Sequence, residues 1–466
     1  MPDFDVVVIG AGPGGYTAAI RAAQLGLKAA VIEKDSVGGL CLNWGCIPSK
    51  ALLSAADRLN DVRRAPEFGI TVKGVKADLS VAVERSRDIV AKFVGGVETL
   101  LSQNKVEIIR GTARLSGPNS IIVEPEGRQI EASNIVIATG ASTRSLPNLA
   151  PDGHRVLTSR EALALRQVPK SIVVVGGGAI GCEFGYLYRS YGAEVTILEL
   201  LPHLLPLEDE DVSRQLERSF AAQGINVITG VSVENVAILP DGVRIAYTGP
   251  EALVEMHAEH ALIGVGFAAN TDGLGLDAAG VESQRGWVQV DDYCRTNVPS
   301  IWAIGDVTGR LLLAHVASHQ GVTAVEKIAG LEPQPIDYEK MPRAVYCQPQ
   351  VASLGLNEAQ ARERGYDVKT GRFPFRASGK AMAVGDTEGF VKLVVDRATN
   401  AVLGYHVIGH NATELIGEAS LGAVLETTSA EIGYAVHAHP TLSEALKEAA
   451  LAANQESIHF YASKRV

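Results

Sequence analysis

Three features are scarce in this sequence: cysteine, clusters of basic residues and long apolar runs. Five cysteines among 466 residues are too few for a disulfide-stabilised scaffold, and their odd number leaves at least one thiol unpaired. The formal net charge is −11 and no block of lysine and arginine occurs, which argues against nucleic acid and anionic membranes as partners. No apolar run is long enough to cross a bilayer, so we expect no membrane span.

A targeting segment is also missing from the amino-terminal pattern. The first three residues lead directly into an apolar strand pattern, without a basic region or an Arg/Ser-rich stretch. We therefore expect a cytoplasmic protein, although a processed organellar chain would fit the same pattern. The length exceeds the usual size of one core and predicts two to four domains. The 48 glycines, without any low-complexity run, indicate tight turns and phosphate-binding loops.

A dinucleotide-binding pattern opens the chain. Residues 4–9 predict a buried strand, which is followed by a glycine-rich turn, a helix and a second strand that ends at Glu33. Gly10 makes the tight turn, Gly12 admits a pyrophosphate close to the backbone, and Gly15 lets the helix pack against the strand. Glu33, 21 residues after Gly12, is placed to accept a hydrogen bond from a ribose hydroxyl. The pattern predicts a dinucleotide site, with a plain glycine turn as the alternative.

The same arrangement returns near the centre of the chain. Residues 171–175 predict a strand, the glycine-rich turn from Gly176 to Gly181 follows, and a helix and a strand lead to Glu199. Glu199 again lies 21 residues after the middle glycine, Gly178. Two such units predict two dinucleotides. An acid here binds a free ribose 2′-hydroxyl and repels a 2′-phosphate, and no arginine stands beside it, so the pattern favours NAD over NADP.

Two cysteines lie in the segment GGLCLNWGCIPSK, residues 38–50. On one regular helix the Cα atoms of Cys41 and Cys46 would be roughly 8.7 Å apart, whereas a disulfide requires roughly 4.4–6.8 Å. A bridge therefore needs a distorted turn, which Gly45 and Pro48 favour. A strained bridge of this kind is easily reduced, as a catalytic disulfide must be. Two unrelated buried thiols are the alternative, and the other three cysteines are interpreted as packing residues.

A histidine–acid pattern lies near the carboxyl end, from His437 to Glu444. Pro440 is expected to keep His439 extended and to start the helix that follows. Histidine exchanges protons near neutral pH, and a neighbouring carboxylate orients it and raises its basicity. Two alternatives stay open. Thr441 and Glu444 also fit a capping box, and the two histidines fit a metal site, although no further Cys/His cluster supports one.

Two further strand ends are candidates for ligand contacts. One strand ends at Thr139 and Gly140, and residues 296–306 predict a strand that ends at Asp306. A carboxylate at the carboxyl end of a parallel strand lies where such sheets bind ligands. An aspartate that caps the next segment is an equally good interpretation of Asp306.

The pattern changes after residue 332. Two prolines, Pro333 and Pro335, predict a linker. Residues 390–396 and 401–408 then predict a hairpin. Helical segments follow around 411–427 and 441–453, which indicates a separate C-terminal domain with an antiparallel sheet and helices.

Together these motifs resemble those of the pyridine nucleotide–disulfide oxidoreductases, and the resemblance runs nearly end to end. The segments 38–50 and 437–444 are similar to the redox and C-terminal catalytic motifs of the members that oxidise dihydrolipoyl groups. The resemblance implies an α/β fold with two Rossmann-like domains that bind FAD and NAD, and a C-terminal α+β dimerisation domain. The implied bounds are 1–146 and 272–340 for the FAD-binding domain, 147–271 for the NAD-binding domain and 341–466 for the dimerisation domain.

The resemblance also implies roles for single residues. Cys41 would exchange with substrate, and Cys46 would face the flavin. Lys50, paired with Glu183, would lie near the flavin's reactive edge. His439, held by Glu444, would act as acid and base on the disulfide of the other subunit of a homodimer. The residues implied to bind the two cofactors are Gly10, Gly12, Gly14, Gly15, Glu33, Lys34, Gly39, Lys50, Ala113, Thr139, Gly140, Gly176, Gly178, Ile180, Gly181, Glu199, Val233, Gly266, Asp306, Leu313, Ala314 and His315. No metal is implied.

The implied activity is the oxidation of dihydrolipoyl groups carried on a partner protein, with reduction of NAD⁺ to NADH. The implied partners are lipoyl domains of an acyltransferase or of a glycine cleavage H protein, within 2-oxo acid dehydrogenase or glycine cleavage complexes. A flavoprotein that binds FAD and NAD without turnover, as a redox sensor, is the hypothesis from another class. The sequence departs from the family pattern at Trp44 and Leu40, where a small aliphatic residue and a threonine are usual.

Overall fold

The first part of the chain forms a parallel sheet around the first glycine turn. The structure is a computed structural model and describes residues 1–249 and 252–461. The elements up to residue 146 are β1 (Phe4–Ile9), α1 (Pro13–Gln24), β2 (Ala29–Glu33), α2 (Gly39–Trp44), α3 (Cys46–Arg64), α4 (Leu79–Gln103), β3 (Glu107–Arg110), β4 (Thr112–Leu115), β5 (Ser120–Glu124), β6 (Arg128–Ile137) and β7 (Ala141–Thr143). The parallel part of the sheet has the order β3-β2-β1-β6. The first half of β6 also pairs with β5, and β5 pairs with β4, both in antiparallel orientation. Valine and isoleucine dominate β1 because a parallel strand is buried on both faces.

A second parallel sheet follows around the second glycine turn. Its region contains β8 (Val156–Leu157), α5 (Ser159–Ala162), β9 (Ser171–Val175), α6 (Ala179–Ser190), β10 (Glu194–Leu198), α7 (Glu210–Ala222), β11 (Ile225–Ile228), β12 (Ser232–Leu239), β13 (Gly242–Thr248), β14 (Leu253–Ala258), β15 (His260–Ile263) and β16 (Phe267–Ala269). The order β11-β10-β9-β15-β8 is parallel throughout, and β12, β13 and β14 form a separate antiparallel sheet. Each glycine turn thus follows a central strand, where a doubly wound sheet binds ligands.

The chain then returns to the first sheet. The next elements are α8 (Leu276–Ala279), β17 (Ser283–Gln284), β18 (Trp287–Val288), β19 (Ile301–Ala303) and α9 (Ala314–Ile328). Strand β19 pairs with β6, and β16 pairs with β7 where the chain leaves and re-enters this region. Helix α9 packs closely on α1, since a Cβ added at Gly14 would lie 2.9 Å from the carbonyl oxygen of Ala317. This is the topology expected of an inserted unit, while the bounds given above stay a prediction.

An antiparallel sheet with helices completes the chain. Its elements are β20 (Arg343–Val345), β21 (Gln350–Gly355), α10 (Glu358–Glu363), β22 (Val368–Pro374), α11 (Gly379–Val384), β23 (Gly389–Asp396), β24 (Val402–Gly409), α12 (Ala412–Val424), α13 (Ser429–Tyr434) and α14 (Glu444–Ala453). The strand order is β20-β21-β24-β23-β22. The predicted hairpin, β23 and β24, is confirmed. So is the fold class, with two parallel sheets and a C-terminal α+β region.

A buried group of ion pairs connects this C-terminal sheet to the start of α7, which belongs to the region around the second parallel sheet. Lys392 on β23 has a side chain that is only 5% exposed, and its ammonium lies 2.9 Å from Asp209, 2.9 Å from Asp211 and 3.0 Å from Glu358. Asp209 caps the amino terminus of α7. Because a buried charge without a partner is strongly destabilising, these groups hold the two regions in a fixed arrangement.

Two predicted element bounds were wrong, for a shared physical reason. The strand predicted over 296–306 covers only β19, because the Thr296 hydroxyl accepts the backbone N–H of Val298 and donates to the carbonyl of Ile301, which forms a turn. Asp306 consequently lies in a 3₁₀ turn, Gly305–Thr308. The helix predicted to start after Pro440 begins at Glu444. In both segments, side-chain hydrogen bonds to the backbone replace regular structure.

The sequence pattern predicts one helix from Tyr16 and another after Lys50, but both helices start earlier. Helix α1 begins at Pro13, where a proline is favoured because the first helical N–H needs no partner. Helix α3 begins at Cys46 and not after Lys50. Within the described residues, no helix combines the length and the hydropathy needed to span a bilayer.

Candidate active site

One cavity of about 810 Å³ extends from the first glycine turn past the cysteine pair to the start of α6. The predicted site residues that line it are Gly10, Gly12, Gly14, Gly15, Glu33, Lys34, Gly39, Cys41, Cys46, Lys50, Ala113, Thr139, Gly140, Ile180, Glu183, Asp306, Leu313 and Ala314. Its volume lies within the range of small-molecule and cofactor pockets. The predicted residues outside its lining are Gly176, Gly178, Gly181, Glu199, Val233, Gly266, His315, His439 and Glu444.

The first glycine turn has the geometry that a pyrophosphate site needs. Gly10 adopts φ 103°, and a Cβ there would collide with the carbonyl oxygen of Ala138. A Cβ at Gly15 would collide with the carbonyl oxygen of Gly10, so the helix can approach the strand only with glycine at this position. Gly12, in contrast, has no atom within 4 Å of a built Cβ, and its open side borders the cavity.

Unpaired polar groups face the same part of the cavity. No side chain caps the amino terminus of α1, so its first amide groups are available to an anion. The hydroxyl of Thr139 is buried without a hydrogen-bond partner among the described residues. Burial raises the pKa of Asp306 to about 6. An anionic, hydroxyl-rich dinucleotide such as FAD fits these groups.

The carboxylate of Glu33 supports the turn from the end of β2. One oxygen accepts the backbone N–H of Ala11 at 2.8 Å, and the other accepts that of Asp35 at 2.8 Å. Each oxygen keeps a further lone pair for a ribose hydroxyl.

The second glycine turn repeats this geometry. Gly176 adopts φ 112°, and a Cβ at Gly181 would collide with the carbonyl oxygen of Gly176. Gly178 is open, and no side chain caps the amino terminus of α6. Glu199 accepts the backbone N–H of Gly177 at 2.5 Å and that of Leu201 at 2.8 Å. The second turn therefore fits a second dinucleotide on a carboxylate of the same kind.

The other predicted cofactor residues lie around these turns. Val233 is half-buried on β12 and packs against the core of the second sheet. Gly266 adopts φ 99° immediately before β16. His315 is exposed at the start of α9, and its ring Nε2 lies 2.8 Å from the carbonyl oxygen of Pro342.

The two cysteines meet at a break between two helices. Helix α2 ends at Trp44 and α3 begins at Cys46, and Gly45 between them adopts φ −140° and ψ −115°. The thiols of Cys41 and Cys46 are hydrogen-bonded to each other. This bond lowers the pKa of Cys46 to about 7, and the Lys50 ammonium adds to the effect. The same bond raises the pKa of Cys41, so Cys46 is the thiol that ionises first.

Lys50 is held beside the two cysteines by a carboxylate that is remote in the sequence. Its ammonium lies 2.9 Å from both carboxylate oxygens of Glu183 on α6, and 4.5 Å from the ring centroid of Tyr346. Tyr346 also donates its backbone N–H to Glu183 at 3.0 Å. Burial works against the charged form, but Glu183 raises the pKa of Lys50 above its usual value. A permanent cation is therefore held near the Cys46 thiolate.

The C-terminal histidine–acid pair is present but lies outside the cavity of its own chain. His439 Nδ1 is 2.9 Å from Glu444, and the imidazole is 78% exposed. The second oxygen of Glu444 accepts the backbone N–H of Thr441 at 2.8 Å. Burial works against ionisation, but the hydrogen bonds from Thr441 and His439 lower the pKa of Glu444. The carboxylate therefore both orients the imidazole and satisfies the backbone.

The alternative of a histidine metal site has no support in the described part of the chain. His437 Nε2 is 2.8 Å from Glu418, away from His439. No group of three or more His, Cys, Asp or Glu that could hold a metal occurs among residues 1–249 and 252–461.

Three residues around the cysteine turn were not predicted. Asn43 donates to the carbonyl oxygens of Val37 and Gly39, both at 3.0 Å. The guanidinium groups of Arg87 and Arg160 lie 4.6 and 4.4 Å from the ring centroid of Trp44. The position of Asn43 between the cysteines could have drawn notice, but nothing in the sequence connects the two arginines with this turn.

A family model described as "Pyridine nucleotide-disulphide oxidoreductase" matches residues 4–321, and one for its dimerisation domain matches residues 341–450. The chain belongs to the pyridine nucleotide–disulphide oxidoreductase family. The predicted family is thus confirmed. FAD and NAD are the cofactors of this family, as predicted, and the dimerisation domain supports the predicted homodimer.

Curated members of the family are similar over almost the whole chain. Dihydrolipoyl dehydrogenase of Chlorobaculum tepidum is 50% identical over 459 residues, which cover 97% of each chain. The enzyme of the same name from Bacillus subtilis is 43% identical over 471 residues, covering 98% of this chain and 99% of the relative.

Solved structures show the same architecture. LpdA from Mycobacterium tuberculosis has a TM-score of 0.88 and 31% identity, covering 96% of this chain and 98% of that one. RclA from Escherichia coli, described as an HOCl-induced flavoprotein disulfide reductase, has a TM-score of 0.85 and 27% identity, covering 96% and 99%.

Proposed function

We propose that this chain oxidises dihydrolipoyl groups carried on a partner protein and reduces NAD⁺ to NADH, the reaction for which its curated relatives are named. The observation that carries the proposal is the hydrogen-bonded pair Cys41 and Cys46, which lines the same cavity as the first glycine turn. A lowered pKa at one thiol of a pair is typical of thiol–disulfide catalysis.

The same proposal assigns the cofactors. The glycine turn at Gly12, with Glu33, Thr139 and Asp306, would hold FAD, and the turn at Gly178 with Glu199 would hold NAD. The corresponding domain bounds are 1–146 with 272–340, and 147–271. When bound, the flavin and the nicotinamide supply the transfer of an electron pair from thiol to NAD⁺. The protein's part is to hold Lys50 and Glu183 beside the cysteines, where the cation favours the Cys46 thiolate.

The thiol chemistry follows from the two cysteines in their disulfide form. A substrate thiolate attacks Sγ of Cys41, the bond to Cys46 breaks, and a mixed disulfide forms. The second substrate thiolate then attacks the mixed disulfide, which releases oxidised lipoyl and leaves both cysteines reduced. Two protons must leave the substrate, and His439 of the partner subunit is the base we assign to this task. Glu444 orients that imidazole through the contact with Nδ1.

The assignment of His439 to the opposite subunit accounts for two features of the single chain. The imidazole is largely exposed, and it lies outside the cavity that holds the cysteines. The homodimer would therefore form two complete sites, each with cysteines from one subunit and the histidine from the other.

The partner is identified by chemistry rather than by a visible contact. A dithiol on a flexible lipoyl arm is the substrate, so we propose lipoyl domains of an acyltransferase or of a glycine cleavage H protein, within the corresponding complexes. The low cysteine content is in keeping with a reducing cytoplasm, where disulfides are mostly transient and catalytic.

A steady-state assay tests the proposal. The FAD-loaded dimer should reduce NAD⁺ with dihydrolipoamide as the donor, and should use NADP⁺ poorly because Glu199 repels a 2′-phosphate. A redox sensor would change its absorbance with NADH but would not turn over dihydrolipoamide, and that result would refute the proposal.

A further inference from the structure

The helix break between Cys41 and Cys46 is held by side chains from two other helices. We infer that Arg87, acting through Asn43 and Trp44, is a positioning residue that keeps the cysteines within bonding distance of each other. The inference rests on the redox role proposed above for this pair. It concerns a contact that the sequence departure at Trp44 makes possible in this chain.

The first contact replaces a helical hydrogen bond. Arg87 on α4 donates from Nη1 to the carbonyl oxygen of Asn43 at 2.7 Å. In an uninterrupted helix this carbonyl would accept the N–H of residue 47, four positions later. Because α2 ends at Trp44, the carbonyl needs another donor, and the arginine supplies it. The Asn43 carbonyl thus needs the hydrogen bond from Arg87 only when the helix is interrupted after Trp44, and not in a continuous helix.

The second contact fixes the indole at the end of α2. The guanidinium groups of Arg87 and Arg160 lie over the indole, 4.6 and 4.4 Å from its ring centroid. Nε and Nη2 of Arg87 are buried and have no hydrogen-bond partner among the described residues. Because the guanidinium lies over the ring, cation–π attraction to the indole is an interaction that Arg87 makes beside its hydrogen bond to Asn43.

The direction of the effect follows from the freedom of the turn between the two cysteines. Pro48 already keeps α2 and α3 from joining into one regular helix, so the two contacts act on the shape of the break at Gly45. Without the contacts the turn is freer to change shape, and the two cysteines spend less time within the Cα separation of roughly 4.4–6.8 Å that a disulfide requires. Loss of Arg87 should therefore favour the dithiol over the disulfide, whereas a residue with no role in positioning would leave this equilibrium unchanged.

The test is the thiol–disulfide equilibrium of the FAD-loaded full-length protein, under anaerobic conditions and without NAD⁺. Protein disulfide and reduced dithiothreitol exchange to give protein dithiol and oxidised dithiothreitol, so electrons and protons balance within the buffer. Acid quenching, alkylation and mass analysis of the peptide with Cys41 and Cys46 give the reduced fraction at each buffer ratio. The three other cysteines fall outside the count.

Matched variants separate positioning from charge. Arg87→Met should shift the equilibrium constant at least about tenfold towards the dithiol, which corresponds to ~30 mV for a two-electron couple. Arg87→Lys retains a charged donor for the Asn43 carbonyl but loses the planar group that lies over the indole. Its equilibrium constant should therefore lie between those of the wild type and Arg87→Met. Arg85→Met removes the same charge from an exposed position on the same helix and should match the wild type.

The outcomes distinguish this inference from the proposed function. If the wild-type pair forms no disulfide in any buffer, the proposed redox role fails. If it does, and Arg87→Met has the wild-type equilibrium, the positioning role is wrong. Should Arg87→Met not bind FAD, the exposed Arg160→Met and the pair Trp44→Leu and Trp44→Phe decide the question. Trp44→Leu should then shift the equilibrium towards the dithiol, and Trp44→Phe should shift it less. If all three variants have the equilibrium constant of the wild type, the inference is overturned.

Discussion

At the residue scale, the imidazole of His439 is the group whose role is most easily isolated. It is oriented by Glu444 and is exposed within its own chain, so its removal disturbs no packing of that chain. We expect His439→Ala to lower kcat/KM for dihydrolipoamide by about 10²- to 10⁴-fold, the usual contribution of a general base. Reduction of the protein by NADH should persist, because the histidine takes no part in that step.

His437→Ala is the matched control for this prediction. His437 lies two residues away and contacts Glu418, so its loss should leave turnover of dihydrolipoamide close to the wild-type value. Near-normal turnover of His439→Ala would show that the substrate proton goes elsewhere.

The ionisation of Cys46 gives a prediction in pH. In the reduced protein the thiolate should be lost as the pH falls through about 7, because the hydrogen bond from Cys41 and the Lys50 cation both lower the pKa of Cys46. Lys50→Met removes a cation and should move the midpoint to higher pH. Glu183→Gln removes an anion that raises the pKa of Cys46 and should move it lower.

Alkylation of reduced protein at a series of pH values, read at the Cys46 peptide, measures both shifts. Midpoints that move in the same direction in the two variants would contradict the electrostatic explanation.

Residues of the glycine and redox motifs could be predicted because their chemistry depends on short spacings. Glu33, at the end of β2, and Glu199, directly after β10, are examples, since one strand–turn–helix–strand unit fixes the distance from glycine to carboxylate. Arg87 and Arg160 could not be predicted, because they reach Trp44 only through the packing of α4 and α5 against the cysteine turn.

At the scale of elements, the first glycine turn contains one glycine that is needed for folding and another that is needed for binding. Gly15 is needed for α1 to approach β1, whereas Gly12 has open space beside it that borders the cavity. Gly12→Ala should leave the apoprotein folded but weaken FAD binding at least about tenfold, ~1.4 kcal/mol. The methyl group would occupy the space that the pyrophosphate needs.

Fluorescence titration of apoprotein with FAD, with circular dichroism as the check on folding, measures this effect. Gly95→Ala on α4 is the control, since its methyl group also enters open space but Gly95 does not line the cavity. It should bind FAD normally and be slightly more stable, because alanine is favoured over glycine by ~1 kcal/mol within a helix. If Gly12→Ala binds FAD with unchanged affinity, the pyrophosphate does not bind at this turn.

The elements that were wrongly bounded share one property. Periodicity gave β1, β9 and the hairpin β23–β24 because burial on one or both faces dictates their pattern. The segments before β19 and before α14 instead depend on single side chains, Thr296 and Glu444, that bond to nearby backbone. Such competition leaves no periodic signal in the sequence.

At the scale of the whole molecule, the account requires two subunits for each site. Mixed dimers of His439→Ala and Cys41→Ser chains, isolated with two different tags, contain one site with both defects and one with neither. Their activity per dimer should be about half of the wild-type value, because one of two sites is intact. Each parent homodimer should be almost inactive. A mixed dimer without recovered activity would place the histidine and the cysteines in the same subunit.

The domain arrangement was accessible from the sequence only through its resemblance to a known family. Spacing within one chain shows two glycine units and a C-terminal hairpin, but not that β19 returns to the first sheet beside β6. The buried network around Lys392 was likewise invisible, because its carboxylates come from two distant regions of the chain.

Anaerobic titration of the FAD-loaded dimer with dihydrolipoamide, followed by NAD⁺, probes the whole proposed path of electrons from substrate dithiol to nicotinamide. We expect a long-wavelength absorbance band from the Cys46 thiolate next to flavin after two electrons are added, and we expect this band to disappear when NAD⁺ is added. A flavin that responds to NADH but never to dihydrolipoamide would contradict the account and leave the cysteine pair with a different substrate.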